Sequence, residues 1–311
     1  MKFTESSIKR IERGFRSMSD LSKYTVIFFT PHADDIELGI PFMYLESLRL
    51  GNKVVEVVMT NNAYGTEYDK LKGKRLEEIR IKELDEANRV FEKASRKKVK
   101  VIRMGYIDGH LPLNNESLNK VMNLIKQLKP AIIFAPDPWF AQDFHADHLN
   151  TGRLVFFSLK KLKRQSRPKR TFYYYSTKTH FYLKCRWKDF KIVKEALEKH
   201  KSQYSSFQSK LIITFYNKLS ILRHLLETKN TSESLREQKH SENGQPLAPP
   251  KFNDMSFRDR VIYYLFSNIT IWGYVKFYNF SPEQLGFNMN YKNKDLLKSL
   301  DKRYKYRYQN N

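Results

Sequence analysis

One cysteine, Cys185, is all that this chain of 311 residues contains. An intrachain disulfide framework is therefore excluded, and the composition fits a reducing, cytoplasmic compartment. The N-terminal MKFTESSIKRIERGFRSMSD lacks the apolar stretch of a secretory signal; Ile8, Ile11 and Phe15 instead share one face of a short amphipathic helix. A spanning helix needs about 20 mostly apolar residues. The stretch VIYYLFSNITIWGYVKFYNF at 261–280 carries Asn268, Lys276 and Asn279 and reads as a packed helix or strand pair, with an interfacial helix as the alternative. No transmembrane span is expected. The first strand-to-helix turn has no GxGxxG, which argues against a dinucleotide, and there is no internal repeat.

Acidic residues are scarce in one half only. Up to residue 150 there are 24 Lys+Arg against 21 Asp+Glu, and from 151 on 33 against 12, so nearly all of the net charge of +24 belongs to residues 151–311. Runs such as KKLKRQSRPKR at 160–170 are either solvated faces or a surface for anionic lipid, phosphorylated glycan or nucleic acid. The polar segment 227–254, ETKNTSESLREQKHSENGQPLAPPKFND, reads as a long surface loop or linker.

Chemistry concentrates in two short segments, PHADDIELG at 31–39 and FHADHLNTG at 144–152. The first follows YTVIFFT, a β-branched and aromatic strand stopped by Pro31. The second follows AIIFA across the loop PDPWFAQD. In an open α/β sheet, ligands sit at the carboxyl ends of strands. His32, Asp34 and Asp35 fall at such a turn, where free N–H groups favour ionised carboxylates. If a helix opens at the second segment, His145 and His148 share a face.

A catalytic zinc takes about three N/O protein ligands and keeps a position for water. His32, Asp35 and His148 complete such a set and leave Asp34 and His145 beside it. Asp34 then accepts a proton from water, and a protonated His145 stabilises a tetrahedral oxyanion and supplies a proton to the departing amine. Asp147 fixes the tautomer of a neighbouring histidine. An N/O site of this kind also accommodates iron, cobalt or manganese.

At these residues the chain resembles a known family. PHADDIELG resembles the Pro-His-Pro-Asp-Asp-(Ile)-Glu signature, and HADH the His-x-Asp-His signature, of the LmbE-like, PIG-L de-N-acetylases. RIKELDEA at 80–87, YIDGHL at 106–111 and KEALEKHKSQ at 194–203 are similar to further family segments in the same order. Ala33 stands where the family has proline, and Ile36 displaces the acidic residue to Glu37. The resemblance implies zinc-dependent removal of acetyl from an N-acetylglucosamine-type amino sugar, with His32, Asp35 and His148 as ligands, Asp34 as general base and His145 as oxyanion stabiliser. It also implies that Arg80 and Asp108 hold sugar hydroxyls. Read from the residues alone, Arg80 pairs equally well with Glu77 or Glu83 on its own helix, and Asp108–Gly109 is a common turn pair. His200, Ser202 and Gln203 serve either as a helix-end cap or as a cleft wall.

Strands near 24–30, 53–60, 99–104 and 131–135 alternate with helices near 38–50, 74–95 and 115–128, followed by a strand at 171–179 and a helix at 188–206. This βαβ pattern predicts a Rossmann-like, doubly wound, mostly parallel sheet with helices on both faces. The expected division is a helical segment 1–23, a deacetylase domain 24–206 and a basic extension 207–311. The competing readings are hydrolysis of another amide, on an antibiotic or thiol-linked glucosaminide, and a non-catalytic basic protein that binds nucleic acid or an anionic membrane. The expected location is cytoplasmic, with peripheral membrane contact as an option.

Overall fold

The computed structural model describes residues 24–143, 145–179, 181–204, 232–241, 245–247 and 277–289. The N-terminal helix expected within 1–23, the apolar stretch 211–226 and most of 261–280 lie outside these residues. Among the described residues seven strands form one sheet: β1 (Thr25–Thr30), β2 (Lys53–Thr60), β3 (Val99–Tyr106), β4 (Ile132–Pro136), β5 (Arg170–Tyr174), β6 (Phe181–Lys184) and β7 (Ser232–Glu237). Their order is β3-β2-β1-β4-β5-β7-β6. The first five pair in parallel, and β7 runs antiparallel to β5 and β6.

Alternation along the strands sets the two faces. Ile27 and Phe29 of β1 pack with Leu118, Val121 and Ile125 of α4 (Asn115–Leu128) and with Leu154 and Val155 of α5 (Ala146–Lys161). Val26 and Phe28 point the other way, into Met43 and Leu45 of α2 (Pro41–Arg49), Phe91 of α3 (Lys74–Ser95) and Ala196 of α6 (Asp189–Leu197). The short α1 (Asp35–Gly39) precedes α2, whose start Pro41 fixes because its missing N–H has no partner to lose there. The chain winds from β1 outward to β3, then returns to β4 on the other side of β1. The β1/β4 boundary is the switch point where two crossovers diverge and leave a crevice. Gly152 brings α5 close to that crevice: a Cβ at this position would lie 2.4 Å from the Pro136 carbonyl oxygen.

Three elements differ from the sequence expectation. The strand expected over 171–179 ends at Tyr174 because Tyr175 takes φ +51°. The helix expected over 188–206 ends at Leu197; beyond it Glu83 accepts hydrogen bonds from the backbone N–H and hydroxyl of Ser202 (2.7 and 2.6 Å) and draws the chain inward.

The larger correction concerns 227–254. Part of that segment, read as a surface loop or linker, is β7, an interior strand of the sheet. SESLRE carries one apolar residue, Leu235, so hydropathy gave no strand signal; charged partners hold it instead. Arg236 forms a bidentate pair with buried Asp137 (2.5 and 2.9 Å). Glu233 accepts from the Phe42 and Met43 N–H groups (3.0 and 2.8 Å) at the start of α2, the free donors of a helix N-terminus. Burial pushes the Glu233 carboxyl up to about 8 against those bonds. Among the described residues no helix is long and apolar enough to cross a membrane.

Candidate metal centre

The turn after β1 carries the first half of the site. Asp35 folds back to accept the His32 N–H (2.7 Å), and Asn62, in the loop after β2, accepts the Ala33 N–H (2.7 Å). The second half opens α5, as the HADH spacing required. His145 is its N-cap, with Nδ1 accepting the Asp147 N–H (3.1 Å), and His148 lies one turn on.

These turns bring His32, Asp35 and His148 together. His32 Nδ1 lies 3.2 Å from His148 Nε2, His148 Nε2 lies 3.3 Å from Asp35 Oδ1, and His32 Nδ1 lies 3.6 Å from Asp35 Oδ2. Ligands about 2.0–2.1 Å from a tetrahedral zinc stand about 3.3–3.4 Å apart; the two imidazole nitrogens already stand at about that distance, and Asp35 turns one oxygen toward each of them. His32 Nε2 faces two carboxylates, Asp108 Oδ1 at 3.1 Å and Asp147 Oδ2 at 3.3 Å. It therefore carries the proton and leaves the Nδ1 lone pair toward the other donors. Burial opposes charge on His32, but Asp108, Asp147 and Asp35 outweigh it and hold the imidazole well above its usual range. A divalent cation at Nδ1 would take the place of that proton. Burial holds the Asp35 carboxyl above its usual range, which marks it as a further buried donor with charge to compensate. The donor set fits a metal. His32, Asp108, His145 and Asp147 form a second, overlapping group of suitable donors.

Asp34 points to the other side of the turn. Its Oδ1 accepts from Arg80 Nη2 at 2.8 Å and its Oδ2 from the Tyr204 hydroxyl. Burial alone would raise this carboxyl, yet the Arg80 and His200 charges and the Tyr204 bond bring it far below the usual carboxylate range, so it is ionised at neutral pH. Arg80 thus pairs with Asp34, not with Glu77 or Glu83. Its Nε and Nη1 are buried with no hydrogen-bond partner among the described residues.

Asp108 is committed differently from the expectation that it waits for a sugar hydroxyl. Its Oδ1 faces His32 and accepts from Tyr278 (2.7 Å), and its Oδ2 accepts the Tyr64 N–H (3.0 Å). Asp147 accepts from the Gly109 and Leu111 N–H groups (2.6 and 3.0 Å), tying the loop after β3 to α5 while it faces His32. His145 also differs. Burial drives it down to about 4, so it is neutral at pH 7 rather than the cation expected; with Nδ1 accepting, its proton sits on Nε2.

Three polar side chains at the site went unmarked in the sequence reading. Tyr204 follows the HKSQ segment that supplied His200 and Ser202, and Asp143, 3.6 Å from His148 Nδ1, ends the quoted PDPWFAQD loop two residues before the HADH motif. Tyr278, at the cleft from the far end of the chain, had no local signal. Gln203 lines the cleft, while His200 stands behind it, 3.4 Å from Glu37.

Residues 27–157 match the family model for GlcNAc-PI de-N-acetylase, PIG-L. Diacetylchitobiose deacetylase from Thermococcus kodakarensis is 29% identical over 129 residues, covering 42% of this chain and 46% of that protein; the chain thus spans about half the length of this curated relative. Among solved structures, the N,N'-diacetylchitobiose deacetylase from Pyrococcus horikoshii superposes with a TM-score of 0.63 at 22% identity, over 76% of this chain and 93% of that one. GalB, the 4-carboxy-2-hydroxymuconate hydratase from Pseudomonas putida KT2440, superposes with a TM-score of 0.55 at 11% identity, over 75% and 100%. At such identities the superpositions establish the fold, which hosts more than one reaction. The segment 27–157, which matches the PIG-L model, holds the turn after β1, Arg80, Asp108 and the start of the HADH helix.

Proposed function

We propose that this protein is a zinc-dependent hydrolase that removes the N-acetyl group from an N-acetylglucosamine-type amino sugar. The observation that supports it is the convergence of His32 Nδ1, Asp35 and His148 Nε2 at ligand spacing, with ionised Asp34 on one side and the His145 Nε2–H on the other. When bound by these three residues, zinc polarises an amide carbonyl and makes water a nucleophile near neutral pH.

The side chains do the rest. Each Asp34 oxygen keeps a lone pair beyond its bond to Arg80 or Tyr204, so the carboxylate accepts a proton from the attacking water. Neutral His145 donates its Nε2–H to the oxyanion that forms at the carbonyl. Return of the proton from Asp34 to the departing nitrogen completes the balance: amide and water become acetic acid and an amine, which separate at neutral pH as acetate and an ammonium group. Arg80 lines the same cleft, and its guanidinium suits a sugar oxygen. Acetate released from free N-acetylglucosamine, diacetylchitobiose, and nucleotide- and lipid-linked forms tests the reading. Zinc-dependent release from any of them supports it, and no release from a zinc-loaded protein counts against the substrate class.

A finer reading concerns partners. The connections at the amino ends of the parallel strands, LGNK at 50–53, SRKKVK at 95–100, KQLKP at 126–130 and KKLKRQSRPKR at 160–170, contain no acidic residue, and most of their cations are exposed. Helix C-termini favour cations, which accounts for Lys126 and Lys160 but not for the full 160–170 run. This pole lies opposite the cleft, so it supports peripheral docking on anionic lipid that leaves the site open, rather than capture of the substrate itself. Each cation at such a surface contributes about 1 kcal/mol. Replacing Lys161, Lys163 and Lys169 with glutamine should therefore weaken binding to phosphatidylserine vesicles about a hundredfold, with hydrolysis of soluble sugar unchanged; equal vesicle binding would exclude this docking face.

A further inference from the structure

The cleft at the strand ends has a volume of about 110 Å³, well under the roughly 300–1,000 Å³ of sites that enclose organic ligands. Tyr278 is among the side chains that line it. Tyr278, 133 residues along the chain from His145, places its phenol oxygen 2.5 Å from His145 Nε2 and 2.7 Å from Asp108 Oδ1. Because His145 Nδ1 is occupied as an acceptor, Nε2 donates to the phenol oxygen and the phenol donates to Asp108. A hydroxyl that accepts on one side and donates on the other thus sits on the group that would receive the amide oxyanion.

The surroundings are shaped for this ring. Gly109 has φ +79°, and a Cβ there would come within 2.3 Å of the Tyr278 ring. The Tyr64 ring lies against it, with centroids 5.0 Å apart. The following residues are anchored: Lys72 donates to Asn279 (2.7 Å), and Phe280, Leu285 and Phe287 pack on Ala63, Tyr64 and Ile107. The chain after Tyr278 is thereby held beside the cleft, with the Tyr278 hydroxyl reaching His145 and Asp108. Rotation of the Tyr278 side chain between staggered rotamers would withdraw the hydroxyl from His145 and Asp108.

We propose that Tyr278 is the gate of this site: its hydroxyl fills the position of a ligand oxygen between His145 and Asp108, and an amino sugar enters only by displacing it. The proposal rests on the amino-sugar reading of the cleft. A ligand that must first break the two phenol hydrogen bonds binds with an affinity reduced by the fraction of molecules in which the gate is open. Removing those bonds returns that factor, about tenfold or more.

The test is calorimetric titration of the zinc-loaded protein with N-acetylglucosamine, in an Asp34→Asn background so that no sugar is consumed. It compares Tyr278 with Tyr278→Ala, which opens the cleft, and with Tyr278→Phe, which keeps the ring packing on Gly109 and Tyr64 but loses the hydroxyl. One equivalent of zinc bound by each protein checks folding, and the phenylalanine variant carries the test if the alanine variant fails it. The expected result is about tenfold tighter sugar binding in both variants. Affinity that is unchanged, weaker, or undetectable in all three overturns the gate. Acetate release by the wild type decides the hydrolase reading separately: release without a gain in affinity removes the gate alone, and a gain without release removes the hydrolase alone.

Discussion

Asp34→Asn is expected to slow acetate release by about 10²–10⁴-fold, the range attributable to a positioned proton acceptor, while the protein still binds one equivalent of zinc. The substitution is nearly isosteric and keeps an oxygen for Arg80, whose 2.8 Å bond to Asp34 is buried. Structure and metal affinity should therefore survive, because the three proposed ligands lie on the other side of the turn. What disappears is the capacity to take a proton: the carboxylate is held far into its ionised range by Arg80 and His200 despite burial, and an amide has no equivalent state. Turnover within a few-fold of the wild type would remove Asp34 from the role of base and require another group to move the proton.

Arg236→Met is expected to cost about 3–5 kcal/mol in a urea unfolding measurement, the typical penalty for stranding one member of a buried ion pair. Asp137 has no exposed surface; besides Arg236 it accepts from the Trp139 and Phe140 N–H groups (2.9 Å each) and the Ser176 hydroxyl (2.6 Å). The pair thus pins β7 to the loop that leads toward the HADH helix, and its loss should loosen the site as well as the fold. The pH dependence has a fixed sign. Burial would raise the Asp137 carboxyl, but Arg236 outweighs it and holds the group below the usual carboxylate value. The stability from this lowered pKa is complete above about pH 4 and is lost as pH falls through the depressed value. A loss below about 1 kcal/mol would show that the pair contributes little to holding β7.

Much of the site was legible because its signals are local. Val54–Thr60 and Val26–Thr30 announce buried strands by β-branched and aromatic composition, and His32, Asp34 and Asp35 fall within five residues of a strand end. His145 and His148 share a helix face by spacing alone. Other parts depend on partners far along the chain. β7 is polar in composition and becomes a strand because Asp137 and the start of α2 supply charge and hydrogen-bond partners 99 and about 190 residues away. The ionisation of His145 depends on burial, which its neighbours in sequence do not reveal. Tyr204 and Tyr278 are ordinary tyrosines until the fold carries their hydroxyls to Asp34, His145 and Asp108. Arg80 lines the cleft and pairs with Asp34, a partner that helical spacing, which offered Glu77 and Glu83, does not reveal.

The most direct measurement is a titration of metal-stripped protein with zinc, following acetate release from diacetylchitobiose or whichever N-acetylated sugar in the panel reacts fastest. The predicted result is no release without metal, a linear rise with added zinc that breaks at one equivalent, and no such recovery in His148→Ala. Undiminished release from the stripped protein, or a stripped protein that binds no zinc, would contradict a metal centre at His32, Asp35 and His148.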